Sequence, residues 1–240
     1  AAVVFPEFAN ADHWLNFAIE ELKINIETDL LEDGVHCELS TDYHHIVLRN
    51  FLAVRRLATL NNIKLPEALD NGIKKALTFS MYVHKPDGLI PSLSDGDTGN
   101  FLALLAQGYE FYGCEHMRYV ATQGQQGIAP PLRVKAFTAG GYYILRSGWG
   151  EQEAYEDERY LVFDCGDLGA GNHGHLDVLN FEMAAFGQSL IVDPGRYTYD
   201  ESGPVNWRVL FRGTSYHNTV LIDQKNQTRY EFHKHKFKIK

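Results

Sequence analysis

Gly124-Gln125-Gln126-Gly127-Ile128-Ala129-Pro130-Pro131 is the stretch at which the chain changes character. Two glycines and two prolines in eight positions end a helix, because glycine costs backbone entropy and proline lacks the N–H that a helix or sheet ladder needs. On either side the apolar residues repeat with different periods. That contrast predicts an α+β protein: a helical part over residues 1–125 and an antiparallel β-sheet or sandwich part over residues 126–240.

Working back from the break, four helical stripes are separated by their own breakers. Leu15, Ile19, Leu22, Ile26 and Leu30 form the first, ended by Glu32-Asp33-Gly34. Tyr43, Val47, Phe51, Val54 and Ala58 form the second, behind the capping candidates Ser40 and Thr41. The third starts near Pro66 and runs through Leu69, Ile73 and Leu77 to the turn Lys85-Pro86-Asp87-Gly88. Phe101, Leu105, Gly108 and Tyr112 mark the fourth. Consecutive amphipathic helices on short loops suggest antiparallel hairpins stacked in an array or toroid. Forward of the break, short apolar or alternating runs follow one another: Tyr142 to Arg146, Tyr160 to Asp164, Leu179 to Ala185, Ser189 to Val192 and Asn218 to Ile222. With no long helical pattern between them, they predict antiparallel strands.

Composition narrows the function. The 240 residues are 45% hydrophobic, enough for a sizeable core, and no stretch approaches the ~20 apolar residues of a membrane-spanning helix. The first residues lack the basic start and apolar run of a signal peptide, so any export signal is expected to be absent or removed. A formal charge of −9 disfavours nucleic acid and anionic membranes as partners, so an anionic substrate requires a local basic cleft. Arg208 and Arg212 are candidates for it, with Lys234, Lys236, Lys238 and Lys240, whose alternation with His235, Phe237 and Ile239 also fits a solvated strand face. Cys37, Cys114 and Cys165 are too far apart for a thiolate metal site and read as buried free thiols.

Two constellations carry chemistry. The first is Asn172-His173-Gly174-His175-Leu176-Asp177, followed by Asp193-Pro194-Gly195 and by Arg212 to Thr219 with His217 inside. On an extended segment His173, His175 and Asp177 share a face, where such groups are solvated, mutually bonded or bound to metal. Histidine with carboxylate suits zinc, and a richer carboxylate set suits calcium or manganese. The second is Glu38 to His45, which places Tyr43 at a helix start. A tyrosine there is ordinarily packing, and it can transfer a proton if its hydroxyl faces a cleft.

Four runs together resemble the heparinase II/III-like polysaccharide lyases: DGVHCELSTDYHHIVLRNF (33–51), GYYILRSG (141–148), GNHGHLDVLNFEMAAFGQSLIVDPGRYTY (171–199) and FRGTSYHNTVLIDQKNQ (211–227). The most specific elements are HGHxD, VDPGxYxY and RGTxxHNTVxxD. The resemblance implies an incomplete α/α toroid followed by an antiparallel β-sheet domain, with the active cleft between them. It implies β-elimination on glycans containing uronic acid, heparan sulfate in preference and alginate as an option, in a periplasmic or secreted setting. Tyr43 would transfer the proton and His173 would reach the cleft from the sheet. His44, Arg208 and Arg212 would contact substrate. His175, Asp193 and His217 would hold a mainly structural metal, zinc or else calcium, with Asp177 orienting an imidazole.

One departure stands out. Family members carry an Asn-His or similar pair, upstream of the segment where this chain begins, that neutralises the substrate carboxylate, and nothing here matches it. A truncated form, inactive by itself, is therefore expected. Two rivals follow from the same residues: a noncatalytic glycan-binding or structural module, and an iron oxygenase in which His175, Asp177 and His217 imitate a two-histidine, one-carboxylate triad.

Overall fold

The computed structural model describes residues 1–170 and 173–228. Five helices come first: α1 (Ala11–Asp29), α2 (Thr41–Leu60), α3 (Glu67–Val83), α4 (Leu102–Tyr112) and α5 (Glu115–Ala121). Five strands follow: β1 (Val134–Phe137), β2 (Tyr142–Arg146), β3 (Tyr160–Asp164), β4 (Asn180–Ala185) and β5 (Gln188–Ile191). A short helix, α6 (Trp207–Phe211), and a 3-10 turn (Thr214–Tyr216) follow the sheet. The sheet is an antiparallel meander in the order β1-β2-β3-β4-β5.

Helix α3 is the hub, packing on α1, α2, α4 and α5. Its last residues, Phe79 to Val83, are buried all round because the inner face of the sheet closes over them. Phe79 meets Phe137 and Tyr142 at centroid distances of 5.0 and 5.3 Å, and Tyr82 meets Trp149 at 5.7 Å. The sheet also satisfies the carbonyls that a helix leaves unpaired at its C-terminus. Tyr160 donates from its hydroxyl to Val83 O at 2.7 Å, and Arg146 donates from Nη2 to His84 O. Arg146 is a buried cation at the negative end of the helix dipole, with its guanidinium over the rings of Trp149 (4.1 Å) and Tyr160 (5.0 Å). Helices and sheet thus share one apolar interior.

Alternation is clean in β2 and β3: in β2, Tyr142, Ile144 and Arg146 point inward while Tyr143 and Leu145 point out. The outer face is itself apolar, with Leu145, Leu161, Met183, Phe186 and Leu190 lining an open groove. At the β1–β2 turn Gly141 has φ +78, and a Cβ there would lie 2.3 Å from the backbone N of Gly166, so only glycine fits.

Sequence expectations differ from the structure in four places. Strand β1 and helix α5 went unmarked because each is too short to show a period. Asn218 to Ile222 is not a strand and contributes only the isolated bridge Ile222–Lys225. There a side chain replaces the ladder: Asn218 Nδ2 donates to Phe181 O and Val192 O, each at 3.0 Å. The segment from His173 to Asp177 is irregular rather than extended. The alternating lysines from Lys234 onward lie outside the described residues.

Candidate active site

Tyr43 is the third residue of α2, whose start is fixed by a buried bond from Thr41 Oγ1 to Pro91 O at 2.6 Å. Half-buried, it leans out of the helix end toward the loops of the sheet part. His173 lies flat on it: the ring centroids are 3.8 Å apart and the planes differ by 16°. The two residues that sequence reasoning set in one groove are therefore in direct contact. The Tyr43 hydroxyl is 2.8 Å from that of Tyr199, and His173 Nδ1 is 2.7 Å from Glu38 Oε2.

Tyr199 was not singled out from sequence, although it closes the VDPGxYxY motif. Burial and its bond to Tyr43 push its ionisation above the ordinary tyrosine value, so it stays a neutral phenol able to donate to the Tyr43 oxygen. The guanidinium carbons of Arg196 and Arg208 each lie 4.6 Å from the Tyr199 ring centroid. Arg196, paired with Asp97 at 2.5 Å, keeps a quarter of its side chain exposed and is a cation beside Tyr199 that sequence reasoning also missed.

The three expected substrate contacts are placed differently. His44 is 1% exposed, with Nε2 3.1 Å from Ala76 O and its ring edge-on to Phe79 at 4.7 Å. Burial first, with repulsion from the neighbouring His36 adding to it, lowers its pKa to about 3, so it is a neutral core link between α2 and α3. Arg208 grips the carboxylate of Asp95 with both terminal nitrogens, and Arg212 Nη2 sits 3.7 Å from the same group. Both arginines are buried. Their charge is therefore spent on Asp95 inside the groove wall, not offered to solvent.

Asp95 is the pin between the two parts. Although burial favours its neutral form, the bonds from His175 and Arg208 pull its carboxyl down to about 2. Its backbone N donates to His173 O at 2.9 Å, so the same residue fixes both histidines of the motif. Instead of sharing a face, His173 turns to Tyr43 while His175 turns inward, Nε2 2.8 Å from Asp95 Oδ1.

Behind the groove His175, Asp193 and His217 converge, with candidate ligand atoms within 4.8 Å of one another. Nδ1 of His175 and Nε2 of His217 are buried without a hydrogen-bond partner among the described residues. Such atoms are costly unless something binds them. Asn180 Nδ2 bridges Asp177 Oδ2 (3.1 Å) and Asp193 Oδ2 (2.7 Å), and His217 Nδ1 lies 2.6 Å from Asp193 Oδ2. Burial pushes the carboxyls of Asp164 and Asp177 up, with repulsion among the acids adding to it. Two unpartnered imidazole nitrogens beside crowded buried carboxylates fit a divalent cation.

Comparison with known proteins bears on the chain as a whole. A model described as the Heparinase II/III N-terminus matches residues 1–117, and one described as Heparinase II/III-like, C-terminal, matches residues 129–238. The heparin-sulfate lyases of Bacteroides thetaiotaomicron and Bacteroides stercoris are 29% and 30% identical, each over 94% of this chain and about a third (35% and 34%) of their own length. A solved heparinase III superposes with a TM-score of 0.85 at 30% identity, covering 94% of this chain and 36% of that one. The heparan sulfate lyase of Pedobacter heparinus superposes with a TM-score of 0.83 at 26% identity, again over 94% and 36%. The chain thus spans about a third of the length of the curated relatives it matches, and it belongs to the heparinase II/III-like family.

Proposed function

We propose that this chain is part of a polysaccharide lyase that cleaves acidic glycans containing uronic acid by β-elimination, with heparan sulfate preferred over alginate. The observation that carries the reading is the stack of Tyr43 on His173, contributed by a helix start on one side and a sheet loop on the other. Both rings carry a group that can move a proton, and the stack sets the two side by side. The reaction removes the C5 proton of the uronate, forms the C4–C5 double bond and breaks the bond from C4 to the glycosidic oxygen, which takes up a proton as it leaves. In the proposed roles Tyr43 protonates the leaving oxygen. His173 takes the C5 proton, or Tyr43 takes it where the stereochemistry puts both protons on its side. Tyr199 steadies the Tyr43 oxygen when it bears charge, a donor aimed where charge develops. The names of the relatives support heparan sulfate as the substrate class.

His175, Asp193 and His217 would hold a divalent metal, zinc before calcium, bracing the loop that carries His173. Their buried, unpartnered nitrogens support this. The division into a helical part up to 125 and a sheet part from 126, and a periplasmic or secreted setting, are further proposals; the gap between the two family matches supports the first, and an extracellular glycan substrate the second. Among the described residues no helix is long and apolar enough to cross a membrane.

The test uses the full-length protein with heparan sulfate, heparin, hyaluronan, chondroitin and alginate, following the ultraviolet absorbance of unsaturated uronate. A rise, greatest on heparan sulfate, is expected. Silence on every glycan would return the chain to the noncatalytic reading.

A further inference from the structure

We propose that Glu38 is a positioning residue for His173, an inference that rests on the lyase reading above. Glu38 Oε2 lies 2.7 Å from His173 Nδ1, and both side chains are about three-quarters buried, at 25% and 22% exposure. Its backbone is held from both sides. Tyr142 donates from its hydroxyl to Leu39 O at 2.7 Å, and Ala170 N donates to Cys37 O at 2.7 Å. Leu39 adopts φ +52, a left-handed conformation that a leucine keeps only when its surroundings impose it. Gly169 packs so tightly on this loop that a Cβ would lie 2.8 Å from Glu38 C. The carboxylate is thus a fixed post, not a mobile surface acid.

A neutral imidazole has one N–H and one lone pair, and a carboxylate accepts only. Glu38 therefore places the proton of neutral His173 on Nδ1 and leaves the Nε2 lone pair as the acceptor for a substrate proton. The same bond sets the rotation of the ring, which Tyr43 holds flat from one face and Asp95 N anchors through the backbone. Without Glu38 the ring keeps its stack, can turn over, and can take the other tautomer.

The experiment is 15N NMR of the full-length lyase labelled at histidine, with the His173 signals identified by their loss in His173→Gln. The wild type is expected to show a protonated Nδ1 and a bare Nε2. Glu38→Ala is expected to shift the proton to Nε2 and to lower kcat on the order of 10²-fold, the cost of displacing a reacting group by about 1 Å, with KM nearly unchanged. A bare Nδ1 in the wild type, a measurement that needs no variant to fold, overturns the proposal. So does a folded Glu38→Ala that keeps its kcat. If the wild type forms no unsaturated uronate, the lyase reading fails while the tautomer still decides whether Glu38 holds the ring.

Discussion

At position 43 one oxygen atom separates packing from chemistry. The ring of Tyr43 rests against His173, and its hydroxyl bonds to that of Tyr199. Tyr43→Phe keeps the ring and the stack. It is expected to lower lyase activity by about 10²- to 10⁴-fold, the range for losing a proton-transfer group, while the melting temperature barely moves. Comparing the ultraviolet assay with a calorimetric melt reads both; activity retained in a folded Tyr43→Phe would remove the residue from the reaction. Tyr43 and His173 were legible in the sequence through their motifs, whereas the sites of His44 and Arg208 were not. A histidine and an arginine look alike in sequence whether they face water or the interior. What fixed them, Ala76 O for one and Asp95 for the other, lies 32 and 113 positions away along the chain.

At the scale of elements, the C-terminal end of α3 against strands β1 to β3 is the joint that matters. Phe79, fully buried between Phe137 and Tyr142, is its centre. Phe79→Ala is expected to cost about 3–5 kcal/mol by emptying that space, read as a lower urea midpoint; a loss below about 1 kcal/mol would mean that the joint carries little of the stability. The same region holds three buried imidazoles. Burial, ahead of repulsion from neighbouring imidazoles, lowers His44 to about 3 and His45 well below its ordinary value, and burial lowers His84 to about 4. Because the folded values are depressed, the unfolded chain takes up these protons first. Stability is whole above about pH 6.5 and falls as the pH drops toward 4, by about 1.4 kcal/mol per pH unit for each ring. A melting temperature flat from pH 6.5 to 4.5 would contradict this. The strands of the sheet were readable from their alternation. β1 and α5 were not, since four and seven residues hold too few repeats, and Asn218 hid its role by replacing backbone bonds with side-chain ones.

For the whole molecule, the proposed metal should behave as a ligand of the folded state alone. At free metal a hundredfold above its Kd, binding adds about 2.7 kcal/mol, so chelation is expected to lower the melting temperature and zinc to restore it. Replacing His217 by Ala should abolish the response; a wild-type melt indifferent to chelator and to added zinc would argue against a bound ion. Turnover that required iron and an oxoacid would instead favour the oxygenase alternative.

Helices and strands on the two sides of the groove grow from a single interior, with Phe79, Tyr82 and Val83 of one side set into Phe137, Trp149 and Tyr160 of the other. Jaws built in this way cannot swing apart without tearing their own hinge. On the proposed lyase reading, admitting a glycan to Tyr43 therefore falls to the loops bearing His173 and Tyr199 rather than to movement of one part against the other.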